Sequence, residues 1–152
     1  MEPAASSIVE LFRDLHREVR KEVEQLDAAA LNWTPAPETS PIGTLVVHLL
    51  GSELETFRFV RGLGSDRDRS SEFVQQAHDP NDLLERLARA DLALDEHGPG
   101  ITAADLSEIR TNPRRGPNTG LYWLASNYGH AKEHLAHLQL TRQLLQQARS
   151  SS

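Results

Sequence analysis

The last third of the chain carries an unbroken helical pattern, from near Asn118 or Thr119 to about Gln147, in which Leu121, Leu124, Tyr128, Ala131, Leu135 and Leu138 recur at helical spacing. At 1.5 Å per residue a helix of close to thirty residues is about 40 Å long. A rod of that length with one apolar stripe must bury it against other elements of the chain. It also carries His130 and His134, four residues apart, with Trp123, Asn127 and His137 nearby. Side chains four apart on a helix stack one turn above another, the spacing two imidazoles need to grip one metal ion.

Three more stripes supply the partners. The first begins around Ser6 or Ser7, either of which can cap it, and runs to Leu26 through Ile8, Leu11, Phe12, Leu15, Val19 and Val23. Ser40-Pro41 predicts the start of a second helix reaching about Arg61, with Ser40 as the cap and proline at the first helical position. Ile42, Leu45, Val46, Leu49, Leu50, Phe57 and Val60 form its apolar face, which Gly62-Leu63-Gly64 ends. Asp79-Pro80 starts the third, with Leu83, Leu84, Leu87, Asp91 and Leu94 on its stripe and Gly98-Pro99-Gly100 as its stop. Between these lie a Trp33-to-Pro37 connection with Trp33 lidding the bundle, a polar loop from Asp66 to Phe73, and a long stretch from Ile101 to Gly116. That last stretch has one helical turn at Ala103 to Ile109, and its length suggests a crossover. No alternating run of β-branched residues competes. The expected fold is all-α, a single-domain four-helix bundle over residues 1–152.

Composition narrows the function classes. With no cysteine the chain has neither disulfides nor a thiolate ligand, so any sulfur chemistry needs an external thiol. A net charge of -6, with Arg114-Arg115 the one short basic cluster, argues against a nucleic-acid partner. No run is apolar enough for a signal peptide or a membrane span, and the expected location is cytoplasmic.

A third metal ligand must come from another helix, and His48, at the border of the second stripe beside Ser52 and Glu55, is the candidate. His137 is an alternative to His130, or a neighbour that contacts a ligand. Glu53 falls inside the apolar stripe, where a lone carboxylate is costly and needs a metal, an arginine or a backbone amide. His16, among charged neighbours, reads as solvated. So do His78, His97, Arg67 and Arg69, with His97 favoured as a cation near a helix C-terminus.

The run Trp33-Thr34-Pro35, then Ser40-Pro41-Ile42-Gly43-Thr44-Leu45-Val46-Val47-His48-Leu49-Leu50-Gly51-Ser52-Glu53, then His130-x-x-x-His134-Leu135-Ala136-His137-Leu138-Gln139-Leu140-Thr141-Arg142 resembles the DinB/YfiT-like superfamily over nearly the whole chain. The resemblance implies a four-helix bundle with one or more long crossover connections, commonly a homodimer. It also implies a divalent metal held by one histidine of the second helix and a pair on the last, which maps onto His48, His130 and His134. Relatives include thiol-dependent S-transferases and isomerases that use a low-molecular-weight thiol.

Three neutral imidazoles would leave the ion its full double charge and at least one open position, so that bound water or thiol loses its proton more easily. Zinc or nickel suits imidazole. Ser52, Glu53, Glu55 and Asn127 are candidate proton-transfer or supporting groups, Trp123 and His137 pocket neighbours, and no catalytic residue is singled out. Affinity should fall as pH drops through about 6. The expected function is that of a metal-dependent transferase or hydrolase acting on a small molecule. The alternative is a non-catalytic metal-binding or structural dimeric bundle.

Overall fold

The computed structural model describes residues 1–74 and 78–151. Four long helices form the bundle: α1 (Pro3–Glu24), α3 (Ile42–Val60), α5 (Pro80–His97) and α7 (Gly120–Ser150). Short helices α2 (Ala28–Asn32), α4 (Arg69–Val74) and α6 (Ala103–Ser107) lie in the connections, with a single turn of 3-10 helix at Gly98–Gly100. Strands β1 (Ile109–Asn112) and β2 (Gly116–Thr119) pair antiparallel just before α7. Among the described residues no helix is long and apolar enough to cross a membrane.

The contacts between helices fix their directions. Ser52 meets Asn127, and Val60 lies where a Cβ on Gly120 would fall, so α3 and α7 run antiparallel. Arg13 pairs with Asp95 and His16 with Asp91, making α1 antiparallel to α5. Gly43 lies under His78 and Arg61 reaches His97, so α3 and α5 are parallel. Two consecutive long helices that point the same way require a connection running the length of the bundle, and residues 61–79 provide it. The crossover is therefore this segment, with α4 inside it, where the sequence suggested a loop. Residues 98–119 instead join the antiparallel helices α5 and α7, which lie diagonally across the bundle, and stay at one end of it.

The helix ends show which local rules prevailed. Asp79 caps α5 through Asn81 N (2.7 Å) with Pro80 in the first turn, and Thr119 caps α7 through Tyr122 N (3.2 Å). At α1 the cap is the Glu2 carboxylate on Ala5 N (2.8 Å), one turn before the expected serines. At α3 the cap position falls on Pro41 and no side chain bonds the free amides, so Ser40 does not serve. Gly62, at φ +72°, closes α3: its amide reaches Phe59 O and the next amide reaches Arg58 O, satisfying carbonyls the helix leaves free.

The core lies where the four stripes meet. Phe12 packs edge-to-face on Phe57 and Tyr128, with ring centroids 5.4 and 5.5 Å away. Leu15, Val19, Val23, Leu49, Leu83, Leu87, Leu124 and Leu138 are buried around them, whereas Leu11 and Leu121, expected on the stripes, remain about 40% exposed. The hairpin was not anticipated, because Pro113 and Pro117 break any strand-like run. It holds through its turn and through one side chain. Asn112 Oδ1 accepts from the amides of Arg114 and Arg115, and the Trp123 indole donates to Arg110 O and Asn118 O, one on each strand.

Candidate functional site

Helix α7 turns a polar sector toward α3 and α4. At about 100° per residue His130, His134 and His137 fall within about 60° of one another, next to Asn127 and Thr141. The antiparallel packing of α3 brings His48 to this sector. The His48 and His134 rings meet edge to face, with centroids 4.9 Å apart. His137 is next, its ring 6.2 Å from that of His134. His130 is turned outward: its side chain is 54% exposed and its Nδ1 faces Glu133 at 3.4 Å. The structure thus brings together one imidazole from each of the two helices singled out in the sequence. Among the described residues, no three His, Cys, Asp or Glu side chains form a ready-made metal-binding group.

The two imidazoles are held differently. His48 is fixed from α4 and the segment before it. Its Nδ1 lies 3.2 Å from Glu72 Oε1, and Phe73 covers the ring at a centroid distance of 5.0 Å. Arg67 Nη2 is also 3.2 Å from that nitrogen, and the guanidinium is tied to Glu72 through Nη2 and Nε (2.8 and 3.0 Å) and to Glu55 through Nη1 (3.3 Å). Nδ1 thus meets both an acceptor, Glu72 Oε1, and a donor, Arg67 Nη2; in the tautomer with Nδ1–H donating to Glu72, Nε2 keeps its lone pair free. His134 has no such support. Its Nδ1 is shut away from solvent without a hydrogen-bond partner among the described residues. A buried polar atom left in that state is uncommon and costs roughly 1–3 kcal/mol.

Both rings are kept neutral. Burial, followed by the neighbouring imidazoles of His48, His137 and His130, pushes the His134 pKa down to about 4. Burial and then the positive charge of Arg67 also lower His48 below the ordinary histidine value, with Glu72 working against them. Neutral imidazole is the form that binds metal.

One turn along α3, Ser52 Oγ accepts from Asn127 Nδ2 at 2.9 Å, tying α3 to α7, while Asn127 Oδ1 is buried without a partner. Glu55 acts through Arg67 and makes no contact with an imidazole. Two of the candidate neighbours go elsewhere. Trp123 is committed to the hairpin, and Arg115 stacks on its ring at 5.0 Å. Glu53 points to the other side of α3, where both its oxygens bond His16 Nε2, at 2.8 and 3.0 Å.

This second histidine corrects the sequence reading. His16 is fully buried, and its Nδ1 meets Asp91 at 2.7 Å, while Arg20 pairs with the other Asp91 oxygen at 2.8 Å. Burial alone would pull the His16 pKa down, but Glu53 and Asp91 outweigh it and raise it. His78 and His97, also expected in water, are each 3% exposed. His78 faces Thr44 Oγ1 at 3.1 Å, over Gly43, where a Cβ would overlap the ring. His97 accepts from Arg61 (2.9 Å), and burial lowers its pKa, so it is not a solvated cation. Arg67 is likewise buried in its ion pairs, with 10% of its side chain exposed.

The pairing of a second-helix histidine with a last-helix histidine, inside an up-down-down-up bundle, coincides with the match of the sequence itself. A profile described as the DinB superfamily matches residues 9–138. The chain belongs to the DinB superfamily. Solved structures agree on the fold. A DinB-like protein of Bacillus subtilis is 17% identical, with 91% of this chain and 92% of that one aligned at a TM-score of 0.71. A conserved protein of Enterococcus faecalis is 17% identical, covers 91% and 95% of the two chains, and gives 0.75. A DinB-like protein of Bacillus cereus is 13% identical, covers 92% and 91%, and gives 0.73. Among proteins of curated function none matches this chain. At such identities the likeness concerns the fold, and the chemistry must be argued from the chain's own residues.

The donor set suits a divalent cation. The imidazoles of His48 and His134 are adjacent, both with pKa values lowered by burial, and a buried nitrogen on His134 has no partner among the described residues. His130 and His137 are both exposed on the same sector of α7.

Proposed function

We propose that the α3–α7 seam of this DinB-superfamily protein is a divalent-metal site, with His48 and His134 as its fixed ligands and His130 as the third, and that the site serves a metal-dependent transfer or hydrolysis on a small molecule. The observation that carries the reading is the edge-on meeting of His48 and His134 with the His134 Nδ1 unpartnered. A cation between the rings removes the cost of that nitrogen. His137, already 6.2 Å from His134, is the competing third ligand. Zinc or nickel matches an all-imidazole set, and either supplies Lewis acidity that lowers the pKa of bound water or of a low-molecular-weight thiol.

What the chain contributes is placement. Glu72 and Arg67 hold His48, Phe73 shields its ring, and Ser52 and Asn127 lock the two helices one turn away. An enzyme also needs room for an organic substrate. A groove of about 490 Å³ opens between α3, α5 and the crossover segment, floored by Val47, Leu50 and Leu54 and bordered by Arg67 and Glu72, the residues that touch His48. Neither imidazole lines this groove, so it adjoins the residues that hold His48 and does not by itself decide between an enzyme and a bare cation store.

Metal analysis of protein purified without added metal, beside His48→Ala and His134→Ala, tests the site. The expected result is one equivalent in the parent chain and loss of tight binding in both variants. Stoichiometric metal surviving in both would refute it. Turnover by the metal-loaded protein is assayed with a panel of thiols and of hydrolysable esters and amides, and inertness throughout supports the non-catalytic alternative.

A further inference from the structure

We propose that Glu72 is a positioning residue of the site: its carboxylate holds His48 through Nδ1 and so presents Nε2 as the ligand nitrogen, which makes the crossover helix α4 a working part of the metal-binding unit. The inference rests on the reading of the α3–α7 seam as a metal site. Its own support is the way the carboxylate is built in. Glu72 is 8% exposed, an uncommon position for a glutamate on a six-residue helix within a connection. Burying a carboxylate is costly unless its oxygens are paired. Here both oxygens are paired by Arg67, at 2.8 and 3.0 Å, and one of them also faces His48 at 3.2 Å.

The opposite wall is shaped to admit it. Gly51, one helical turn beyond Val47, has no side chain where a Cβ would lie 2.3 Å from Glu72 Oε2. A Cβ at 51 would force the carboxylate to shift from its present position. A carboxylate behind a metal-binding histidine fixes the ring's tautomer and orientation and strengthens its donation, an effect commonly worth 10–100-fold in metal affinity. Glu55 offers the control. It pairs with the same arginine at 3.3 Å and makes no contact with an imidazole.

The test uses the full chain with Glu72→Gln, Glu72→Asp and Glu55→Gln. In the metal-free protein, nitrogen-15 NMR of the imidazoles should find the His48 proton on Nδ1 in the parent chain and in Glu55→Gln, and shifted toward Nε2 in Glu72→Gln. In chelator competition with zinc, Glu72→Gln should bind 10–100-fold more weakly, Glu72→Asp should recover part of the loss, and Glu55→Gln should match the parent. Visible spectra of the cobalt-substituted protein should change for Glu72→Gln and not for Glu55→Gln. Should Glu72→Gln fail to fold, Glu72→Asp against Glu55→Gln makes the same comparison. A His48 proton on Nε2 in the parent chain, or equal zinc affinity in Glu72→Gln and the parent, overturns the proposal. So does an equal loss in Glu55→Gln, which would assign the effect to the arginine ion pairs. A parent chain with the expected tautomer that takes up no zinc or cobalt defeats the metal reading and, with it, the role of Glu72 toward a metal.

Discussion

Two buried histidine clusters lie on opposite sides of α3, and they are solved in opposite ways. On the α1–α5 side, His16 has a carboxylate on each ring nitrogen, and Arg20 completes the set, so positive and negative groups balance with no polar atom of the ring left over. On the α7 side, His48 has one partner nitrogen engaged and His134 has a buried nitrogen with nothing to meet. The first cluster is closed and its work is to join three helices. The second is open, with a buried nitrogen that meets no partner among the described residues beside a second imidazole. An unpaired nitrogen alone is not the mark of a site, since His78 Nδ1 is also buried without a partner among the described residues. What sets the α7 cluster apart is that its unpaired nitrogen lies next to another imidazole.

The contrast can be broken most forcefully at the closed cluster. Removing one member of a buried ion pair strands the other, so Glu53→Ala or His16→Ala should cost about 3–5 kcal/mol and lower the thermal midpoint by roughly 6–20 °C. Calorimetry on the metal-free chain measures it, and a loss no larger than at an exposed residue would show the cluster to be dispensable. The same variants should retain their metal affinity.

The pH dependence sharpens the comparison, because the two clusters have opposite signs. The folded pKa of His16 is raised, so the stability it contributes is complete below the ordinary histidine value near 6.5 and is lost as pH rises through the raised value. The folded pKa of His134 is depressed to about 4, so the unfolded chain takes up its proton first and stability declines as pH falls from about 6.5 toward 4. Urea titrations from about pH 4 to well above the ordinary histidine value should find the alkaline decline flattened in His16→Gln and the acid decline reduced in His134→Leu. Identical pH profiles for the two variants would contradict the assignment. Metal affinity follows the open cluster: with both fixed ligands below the ordinary value, it should be kept to a lower pH than the histidine type alone suggests and be lost as the pH falls through the depressed values.

The smallest effects are expected at the open cluster without metal. His134→Leu removes an unpaired buried nitrogen and breaks no hydrogen bond among the described residues, so the metal-free protein should be unchanged or stabilised by up to about 1 kcal/mol. Asn127→Ala loses the bond to Ser52 together with an unpaired oxygen, and should fall within about 1 kcal/mol of the parent. A large destabilisation in His134→Leu would mean that this histidine is a structural group like His16.

The same comparison explains what the sequence disclosed. Periodicity exposed the four stripes, and Asp79-Pro80 marked the start of α5 to the residue, because those signals are local. The His48 and His134 pairing was legible because each histidine sits at the border of its own stripe. The orientation of the His130 side chain was not, since a helix fixes where a Cβ points and leaves χ1 to the surroundings. His16 was misread from its charged sequence neighbours, although it lies on the stripe of Phe12 and Val19. Its partners are 37 and 75 residues away, and a signal did exist: Glu53 and Asp91 both fall on apolar stripes, so one buried and one half-buried acid were in want of a base. Glu72 gave no signal. Its position depends on the path of the crossover, which the pattern of the four long helices does not determine.

The most direct measurement is a crystal structure of the zinc-loaded protein with data collected on both sides of the zinc absorption edge. The account predicts one anomalous peak, within coordination distance of His48 and His134 and completed by a third imidazole from α7, with Glu72 still on His48 Nδ1. A peak at His16 and Glu53, or no ordered zinc in a fully loaded crystal, would contradict it.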